Sequence, residues 1–294
     1  MLRIPIGIQY MLLSAFGFAI MGASVKWVHL QGIPVLEIVA ARALISLCLS
    51  YLDIKRKRIP TWGNRKDLLF ARGAIGALAL VCVYYSVSTL PLAEATVLQY
   101  LHPMFTAILA LFLLKERLHT PTVICIALSF AGLILIARPS ILFGSAASDY
   151  PAISVLAGVL GAFGSAIAYV IVRKLAQSDD PSVIIFYFPL IALPFSLLLL
   201  GDQFVWPQGW EWFGLLMVGV FTQVGQIGLT KSMQTETASR ATAFSYMQVI
   251  FSAALGWLVF SEFPVIWTWI GGGLILLGAI TNLLWKPKPF VANG

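Results

Sequence analysis

A charged side chain inside a long apolar segment is the feature of this sequence that most directly suggests chemistry. Arg42 lies about eight residues into the apolar stretch 34–53, which is about 12 Å deep at 1.5 Å per residue of helix. Arginine stays protonated, so it must face a partner, carbonyl oxygens or water. It could anchor a substrate carboxylate or phosphate through two parallel hydrogen bonds. It could equally tie its helix to a neighbour or extend toward the membrane surface.

His102 is a titratable residue near the middle of another apolar segment, and Pro103 follows it. Proline removes a backbone hydrogen bond and kinks a helix, which would expose carbonyl oxygens at this level. Gln99, three residues earlier, shares a helical face with His102. Because histidine titrates near neutral pH, His102 could carry a coupled proton, bind a substrate or satisfy a neighbouring helix. No Asp or Glu occupies the middle of an apolar segment, so exchange or facilitated diffusion stays open beside proton coupling.

Neutral polar and aromatic residues recur at helical spacing in the later segments. Gln223 and Gln226 are three residues apart, and Ser245, Gln248 and Ser252 follow an i, i+3, i+7 pattern. Such groups together suit a partly polar organic solute, although each could also form an ordinary hydrogen bond between helices. With the tyrosines of neighbouring segments, the candidate substrate-binding residues are Arg42, Tyr84, Gln99, Tyr100, His102, Gln223, Gln226, Tyr246 and Gln248.

Two charged residues near segment ends are candidates for a gate. Glu37 lies little more than one helical turn from Arg42, near the predicted outer mouth, where it could pair with Lys26. The three cysteines lie inside apolar segments without metal-ligand spacing, so they are expected to be small buried residues rather than disulfide partners. We expect no catalytic residue, no metal site and no cofactor.

Membrane-spanning helices must hold these residues in place. The chain has 294 residues, of which 60% are hydrophobic and 11% charged, whereas a soluble domain carries about 25% charged residues. A bilayer needs about 20 apolar residues per helix, and the runs do not alternate as membrane β-barrel strands do. The predicted fold class is all-α, a polytopic membrane protein with ten spans at about 5–26, 34–53, 68–89, 91–114, 119–138, 152–173, 181–200, 210–232, 238–260 and 264–285.

The distribution of basic residues orients these spans. With ten spans, all but three of the 19 lysines and arginines fall on one side of the membrane. Lys26 and Arg138 fall on the other side, and Arg42 lies within a span. Because basic loops stay in the cytoplasm, both termini are predicted to be cytoplasmic, in a multi-pass protein of the plasma (inner) membrane.

The chain contains one unit twice. At an offset of 146, the segment 91–117 recurs at 237–263, with Glu116 on Glu262; at an offset of 147, AFGFAI at 15–20 matches AFGSAI at 162–167. Five spans per copy force the second copy into the opposite orientation, and such inverted repeats are typical of secondary transporters with a mid-bilayer site. The predicted repeats are 1–139 and 151–286, with a linker at 140–150 and a cytoplasmic tail at 287–294. The two matching glutamates could be structural or gate-forming.

The motif LPLAEATVLQYLHPMFTAILALFLLKERL at 90–118 and its weaker copy at 237–264 resemble the EamA-type members of the drug/metabolite transporter superfamily. The resemblance extends over almost the whole chain. It implies ten helices around a central cavity and the transport of amino acids, nucleotide-type compounds, amphiphilic metabolites or drugs. The second copy departs from symmetry at the polar positions, because Arg42 falls opposite Pro189 and His102 opposite Gln248.

These observations favour a secondary transporter that moves a small organic metabolite by alternating access, in export or exchange. Arg42 favours an anionic or zwitterionic, amino-acid-like solute, whereas the neutral groups favour a nucleoside-like or amphiphilic one. A carrier for uptake or exchange of nucleotide-type metabolites and a channel are the alternatives. The sequence has no P-loop and no metalloprotease or serine-hydrolase motif. The expected partners are a small-molecule substrate, the lipid bilayer, protons or a counter-substrate, and a second copy of the chain in a homodimer, but no nucleic acid.

Overall fold

The computed structural model describes residues 4–90, 92–137 and 151–284, which are helical apart from short connections. A 3-10 turn at Phe244–Tyr246 joins the helix Ala238–Ala243 to the helix Met247–Phe260. The helices are α1 (Ile6–Leu30), α2 (Val35–Lys57), α3 (Lys66–Thr89), α4 (Leu92–Gln99), α5 (His102–Leu113), α6 (Thr120–Ala137), α7 (Ala152–Leu175), α8 (Pro181–Leu200), α9 (Glu211–Thr235), α10 (Ala238–Ala243), α11 (Met247–Phe260) and α12 (Ile266–Leu284).

Ten helical segments within these described residues are long and apolar enough to cross a bilayer. Helices α4 and α5 together form the fourth span, and α10, the 3-10 turn and α11 form the ninth. The prediction of an all-α polytopic protein built from two inverted five-helix repeats is thereby confirmed. The boundaries of the repeats stay a prediction, and the linker at 140–150 and the tail at 287–294 lie outside the described residues.

The backbone repeats as well as the sequence. Lys115 and Ser261, which are 146 positions apart, both adopt the left-handed conformation with φ 55°. The next residue in each copy, Glu116 or Glu262, donates its N–H to the carbonyl six positions earlier at 3.1 Å. The fourth and ninth spans therefore end in the same turn, on opposite sides of the membrane.

The two repeats interlock through four pairs of packed helices. Helix α1 packs on α9, α7 on α3, α2 on α8 and α6 on α12, so every pair joins one repeat to the other. Small residues permit this contact: a Cβ atom on Gly132 of α6 or on Gly271 of α12 would collide with the carbonyl of the other glycine. Close backbone approach at small residues is the usual way in which membrane helices associate.

Two helices are longer than their apolar stretches predict. Helix α1 continues to Leu30 and α2 to Lys57, whereas the predicted spans ended near 26 and 53. Hydrophobicity marks the bilayer-embedded part of a helix and not its end. The last turn of α2 carries Lys55, Arg56 and Lys57, and basic residues there interact favourably with the free carbonyls of the helix C-terminus.

We call the face that holds the start of α1 and the ends of α2, α5, α7, α9 and α12 the basic side, and the other face the opposite side. The excess of lysine and arginine predicts that the basic side is cytoplasmic. The break in the fourth span, at Tyr100 and Leu101, and the break in the ninth, at Phe244–Tyr246, lie between these two faces.

Candidate functional site

The two broken spans meet at a pair of tyrosines. Tyr100 and Tyr246 occupy matching repeat positions, and their rings stack with centroids 5.6 Å apart at an angle of 28°. The Tyr246 hydroxyl donates a hydrogen bond to the Tyr100 carbonyl at 2.9 Å. Helix interruptions release backbone carbonyls from their usual partners, and here the opposite repeat supplies the donor. This pair joins the two repeats and places the residues that follow it at their junction.

His102 is held by the break in the fourth span. Pro103 has no N–H, so the Gln99 carbonyl loses its usual i+4 donor; the Nδ1 atom of His102 lies 3.0 Å from that carbonyl and donates to it. A neutral imidazole with its proton on Nδ1 presents Nε2 as an acceptor. The side chain is 8% exposed, and Nε2 has no partner among the described residues. The Tyr169 ring packs edge-on against it, with centroids 5.2 Å apart.

Arg72 is a central residue that the tally of basic residues counted with the cytoplasmic side, although it falls inside the predicted span 68–89. It lies in the second turn of α3, is 4% exposed, and its guanidinium packs 4.7 Å from the centre of the Phe188 ring. Its Nη2 atom reaches the amide oxygen of Gln226 at 3.4 Å, while Nε has no partner in the described structure. The signal available in the sequence was its position inside the third apolar run, which a tally of basic residues overlooked.

Arg42 lies half-buried on α2. Its Nη1 atom contacts the sulfur of Met21 at 3.7 Å, a weak acceptor for a full positive charge. The guanidinium lies near the side chains of Tyr84 and Tyr169, close enough for its charge to act on their phenol groups. Tyr169 also lies near Arg72, so the charges of both arginines act on the same phenol group. The structure therefore brings the predicted residues Arg42, Tyr84, His102 and Gln226 to one region, together with Arg72 and Tyr169.

The remaining predicted binding residues have other surroundings. The amide oxygen of Gln223 accepts from the Ser46 hydroxyl at 2.6 Å, and its amide nitrogen donates to Ser50 at 2.9 Å. Gln223 therefore links α9 to α2, and fewer of its hydrogen-bonding groups remain available to a solute. The Gln99 side chain is exposed and Gln248 is half-buried. Among the described residues, no hydrogen bond links either side chain to the cluster.

The expected polar stripe of the ninth span is interrupted. Ser245 lies in the 3-10 turn, is buried and donates to the Thr242 carbonyl at 2.7 Å. Ser252 lies on α11, is exposed, and lines a groove of about 210 Å³ that opens toward the opposite side between α1 and α11. Because Ser245 is buried in the turn and Ser252 is exposed on α11, the two serines do not form one continuous face.

The structure gives the predicted gating residues different partners from the one that was expected. Lys26 pairs with Glu262 and not with Glu37. Glu37 is 4% exposed, and its carboxylate accepts a hydrogen bond from the Val205 backbone N–H at 2.9 Å. The pairing of Lys26 with Glu37 is therefore wrong. The sequence separation of 236 residues between Lys26 and Glu262 explains why proximity along the chain suggested the nearer carboxylate.

A matching ion pair lies on the basic side. The Nε atom of Arg173 donates to Glu116 at 2.8 Å. The second oxygen of this carboxylate accepts from the Ala238 N–H at 2.8 Å, and Arg173 also donates to the Met233 carbonyl at 2.7 Å. Glu116 corresponds to Glu262 at the offset of 146, and Arg173 corresponds to Lys26 at the offset of 147. The inverted repeat therefore supplies one ion pair at each end of the central region.

The two ends are closed to different extents. On the basic side the side chains of Arg173 and Glu116 are 20% and 11% exposed, whereas those of Lys26 and Glu262 are 43% and 55% exposed. Helix α10 packs against α5 on the basic side, while the symmetry-related pair, α4 and α11, lacks a comparable contact in the described residues. The structure is therefore sealed on the basic side and more open on the opposite side.

A second polar layer reinforces the basic side. The Lys57 ammonium lies 2.9 Å from Asp180, which caps α8 by accepting from the Ser182 N–H at 2.9 Å. Burial raises the pKa of Asp180, but the hydrogen bonds from Ser182 and Lys57 outweigh it and hold the pKa below the usual 3.8. Burial also raises the pKa of Glu236, against the effect of its partner Arg240.

Sequence comparison identifies the fold family of this arrangement. The sequence profile described as the EamA-like transporter family matches residues 5–138 and 152–284, one match for each repeat. The chain belongs to the EamA-like transporter family. The predicted membership of the drug/metabolite transporter superfamily is thereby confirmed.

Within the described residues, no group of three or more His, Cys, Asp or Glu side chains could hold a metal ion.

Similar proteins are transporters. The chain is 32% identical over 275 residues to the pseudopaline exporter CntI of Pseudomonas aeruginosa, covering 93% of this chain and 94% of the relative. It is 33% identical over 288 residues to solute carrier family 35 member G1 of Homo sapiens, covering 93% and 77%. A solved crystal structure has the same fold, with a TM-score of 0.79, 20% identity and 94% of each chain covered. The protein is an integral multi-pass membrane protein and a transporter of small metabolites.

Proposed function

We propose that the protein is a secondary transporter that carries a small polar organic solute by alternating access. The observation that carries the proposal is a set of unsatisfied polar groups at the junction of two inverted repeats. His102 Nε2 and Arg72 Nε are buried there without partners among the described residues. Buried polar groups without partners destabilise a protein by about 1–3 kcal/mol each. A solute that occupies the junction would satisfy both groups, so we place the substrate site there.

The different exposure of the ion pairs on the basic side and the opposite side supports alternating access. Arg173 and Glu116 hold α7 to the fourth span on the basic side, and Lys26 and Glu262 are their counterparts on the opposite side. In an inverted repeat, each copy can adopt the packing that the other now has. The exchange of these packings would open the basic side and bury the Lys26–Glu262 pair. The central site would then face the other compartment.

The orientation of the chain and the direction of transport belong to the same proposal. We place the basic side in the cytoplasm of the cell and both termini with it, because lysine and arginine accumulate there. The structure would then represent the conformation in which an exporter releases its solute to the outside. The similarity to an exporter that covers 93% of this chain supports export, and exchange against a counter-substrate uses the same two conformations.

Counterflow in liposomes tests this function. A thermal-shift screen of the purified protein against a metabolite library first identifies a ligand. Liposomes loaded with that unlabelled ligand should then accumulate labelled ligand transiently above its outside concentration, because a carrier exchanges one solute for another. Two controls are needed. One is liposomes without protein, and the other is liposomes with a variant in which cysteines replace both Arg173 and Glu116 and are crosslinked to each other. Equilibration without overshoot, together with single-channel currents, would contradict a carrier and favour a channel.

A further inference from the structure

Two arginines in the central region have no neutralising carboxylate among the side chains that the structure describes. Neither Arg42 nor Arg72 takes part in an ion pair among the described side chains. Their polar contacts are a thioether sulfur at 3.7 Å for Arg42 and an amide oxygen at 3.4 Å for Arg72. A guanidinium has five N–H donors, so both groups retain donors for a further partner.

Other arginines near the membrane show that the chain supplies a carboxylate where the role is structural. Arg173 pairs with Glu116 at 2.8 Å, and Arg240 pairs with Glu236 at 3.1 Å. A charge inside the bilayer without such a partner is costly, and such charges usually mark the path of a substrate or an ion. The contrast assigns Arg42 and Arg72 to a ligand that brings its own negative charge.

The two arginines border the same central region at two different depths in the membrane. Gln223 bonds Ser46, which lies one turn from Arg42. Gln226 lies one turn from Gln223 and accepts from Arg72 at 3.4 Å. The side chain of Tyr169 lies near both guanidinium groups. Arg42 lies seven residues from the start of α2 on the opposite side, and Arg72 lies six residues from the start of α3 on the basic side. With 1.5 Å per residue and a hydrocarbon core about 30 Å thick, their Cα atoms are on the order of 10 Å apart along the membrane normal. A solute between them would reach one arginine with each end.

His102 requires a hydrogen-bond donor from the solute, whereas the two arginines require acceptors. Its Nδ1 atom donates to the Gln99 carbonyl at 3.0 Å, so its buried Nε2 can only accept a hydrogen bond. The Tyr169 ring, which lies near both arginines, packs edge-on against this imidazole with the centroids 5.2 Å apart. The solute must therefore present an N–H or O–H group between its anionic ends.

We infer that the transported solute carries two anionic groups (termed a dianion, whether or not an ammonium group offsets one charge) and a hydrogen-bond donor, as in an amino or hydroxy dicarboxylate or the corresponding phosphate ester. Arg42 binds the anionic group nearer the opposite side, Arg72 binds the one nearer the basic side, and His102 accepts from the donor between them. Carboxylate and phosphate both form two-pronged bonds with arginine. This inference rests on the proposed function, because it names the substrate of the same site.

A matched series of solutes tests the charge requirement. The series consists of L-aspartate, L-glutamate and L-2-aminoadipate, each beside its side-chain amide, with O-phospho-L-serine beside L-serine and glutarate as the dicarboxylate without a donor. In thermal-shift and counterflow experiments on the full chain, at least one dianion should bind about ten- to a hundredfold more tightly than its amide, since a charged hydrogen bond contributes that much. Comparison of the amino dicarboxylates with phosphoserine shows which anion the site holds.

Arginine variants connect the preference to the two residues. The glutamine variant of the arginine that binds the side-chain anion, Arg42→Gln or Arg72→Gln, should reduce the ratio of dianion to amide binding to about one, and the other variant should weaken the binding of both members of each pair. Arg42→Lys and Arg72→Lys, which keep the charge, should preserve part of that ratio and provide the measurement if a glutamine variant does not fold. Arg56→Gln is the control, because its side chain is 80% exposed on the basic side; it should bind the series like the wild type.

Two outcomes would separate the inference from the function on which it rests. If every dianion binds no better than its amide, or if both glutamine variants keep the preference, the dianion assignment is overturned. Counterflow of a neutral or cationic solute with unchanged rates in both variants would also overturn it while leaving a carrier in place. The absence of counterflow for every ligand found in the metabolite screen would instead contradict the proposed transporter mechanism.

Discussion

Hydrogen-bond partners separate structural polar residues from those that are open to a solute. Gln223 and His102 were both candidates by sequence, yet Gln223 is bonded at both amide atoms by Ser46 and Ser50. The Nε2 acceptor of His102 has no partner in the described part of the chain. A satisfied interhelical amide contributes about 0.6 kcal/mol to packing on average. At the scale of the residue, His102 is therefore the better candidate for contact with the substrate.

Replacement of His102 by asparagine should remove the acceptor and keep the helix break intact. The asparagine amide nitrogen can occupy the place of Nδ1 and donate to the Gln99 carbonyl, but nothing replaces Nε2. We expect transport of the identified ligand to fall about five- to tenfold, which corresponds to one lost hydrogen bond of about 1–1.5 kcal/mol. The melting temperature in detergent should stay close to that of the wild type.

His102→Ala is the matched control for this variant. It removes the donor to the Gln99 carbonyl as well, so it should lower the free energy of unfolding by about a further 1–2 kcal/mol. Wild-type transport by His102→Asn would show that Nε2 does not contact the solute.

At the scale of the residue, the sequence predicted positions better than partners. Arg42 and His102 were identified because charged or titratable groups are rare in apolar segments, and Tyr100 and Tyr246 because the repeat aligns them. Arg72 was missed because the tally of basic residues counted it with the cytoplasmic side. The ion pair of Lys26 joins residues 236 positions apart, and such a contact depends on how the helices pack, which no local pattern encodes.

At the scale of the element, the interrupted spans are the parts that differ most from ideal helices. Pro103 predicted a kink in the fourth span, and the structure breaks the helix just before it. The ninth span breaks at the matching position without a proline, since Gln248 and Val249 stand where the first repeat has His102 and Pro103. The repeat, and not the local sequence, could have predicted the second break.

The matching ion pairs at the ends of these spans should contribute unequally to stability. Glu116→Gln weakens a partly buried pair and the bond from the Ala238 N–H, so it should lower the free energy of unfolding by about 1–3 kcal/mol. Glu262→Gln changes the symmetry-related but exposed pair, which should cost less than about 1 kcal/mol. Denaturation of both variants in the same detergent measures the difference. Equal losses would show that the basic side is not the closed one.

At the scale of the whole molecule, the number and approximate limits of the spans followed from hydrophobicity, and the inverted arrangement followed from the repeat. Which side is closed could not be predicted, because two near-equivalent packings of the same sequence differ by only a few kcal/mol. Thr106 and Ser252 illustrate the asymmetry: they are 146 positions apart, yet Thr106 is fully buried and Ser252 is exposed in the groove. An alternating carrier must exchange these two environments.

Thiol labelling from each side of the membrane tests this exchange most directly. Thr106→Cys and Ser252→Cys are introduced singly after Cys48, Cys82 and Cys125 are replaced by alanine. A membrane-impermeant reagent should label residue 252 from the opposite side alone and residue 106, more slowly, from the basic side alone. Crosslinking cysteines at positions 26 and 262 should abolish the first reaction and accelerate the second. Labelling of both positions from one side, or no response to the crosslink, would contradict alternating access.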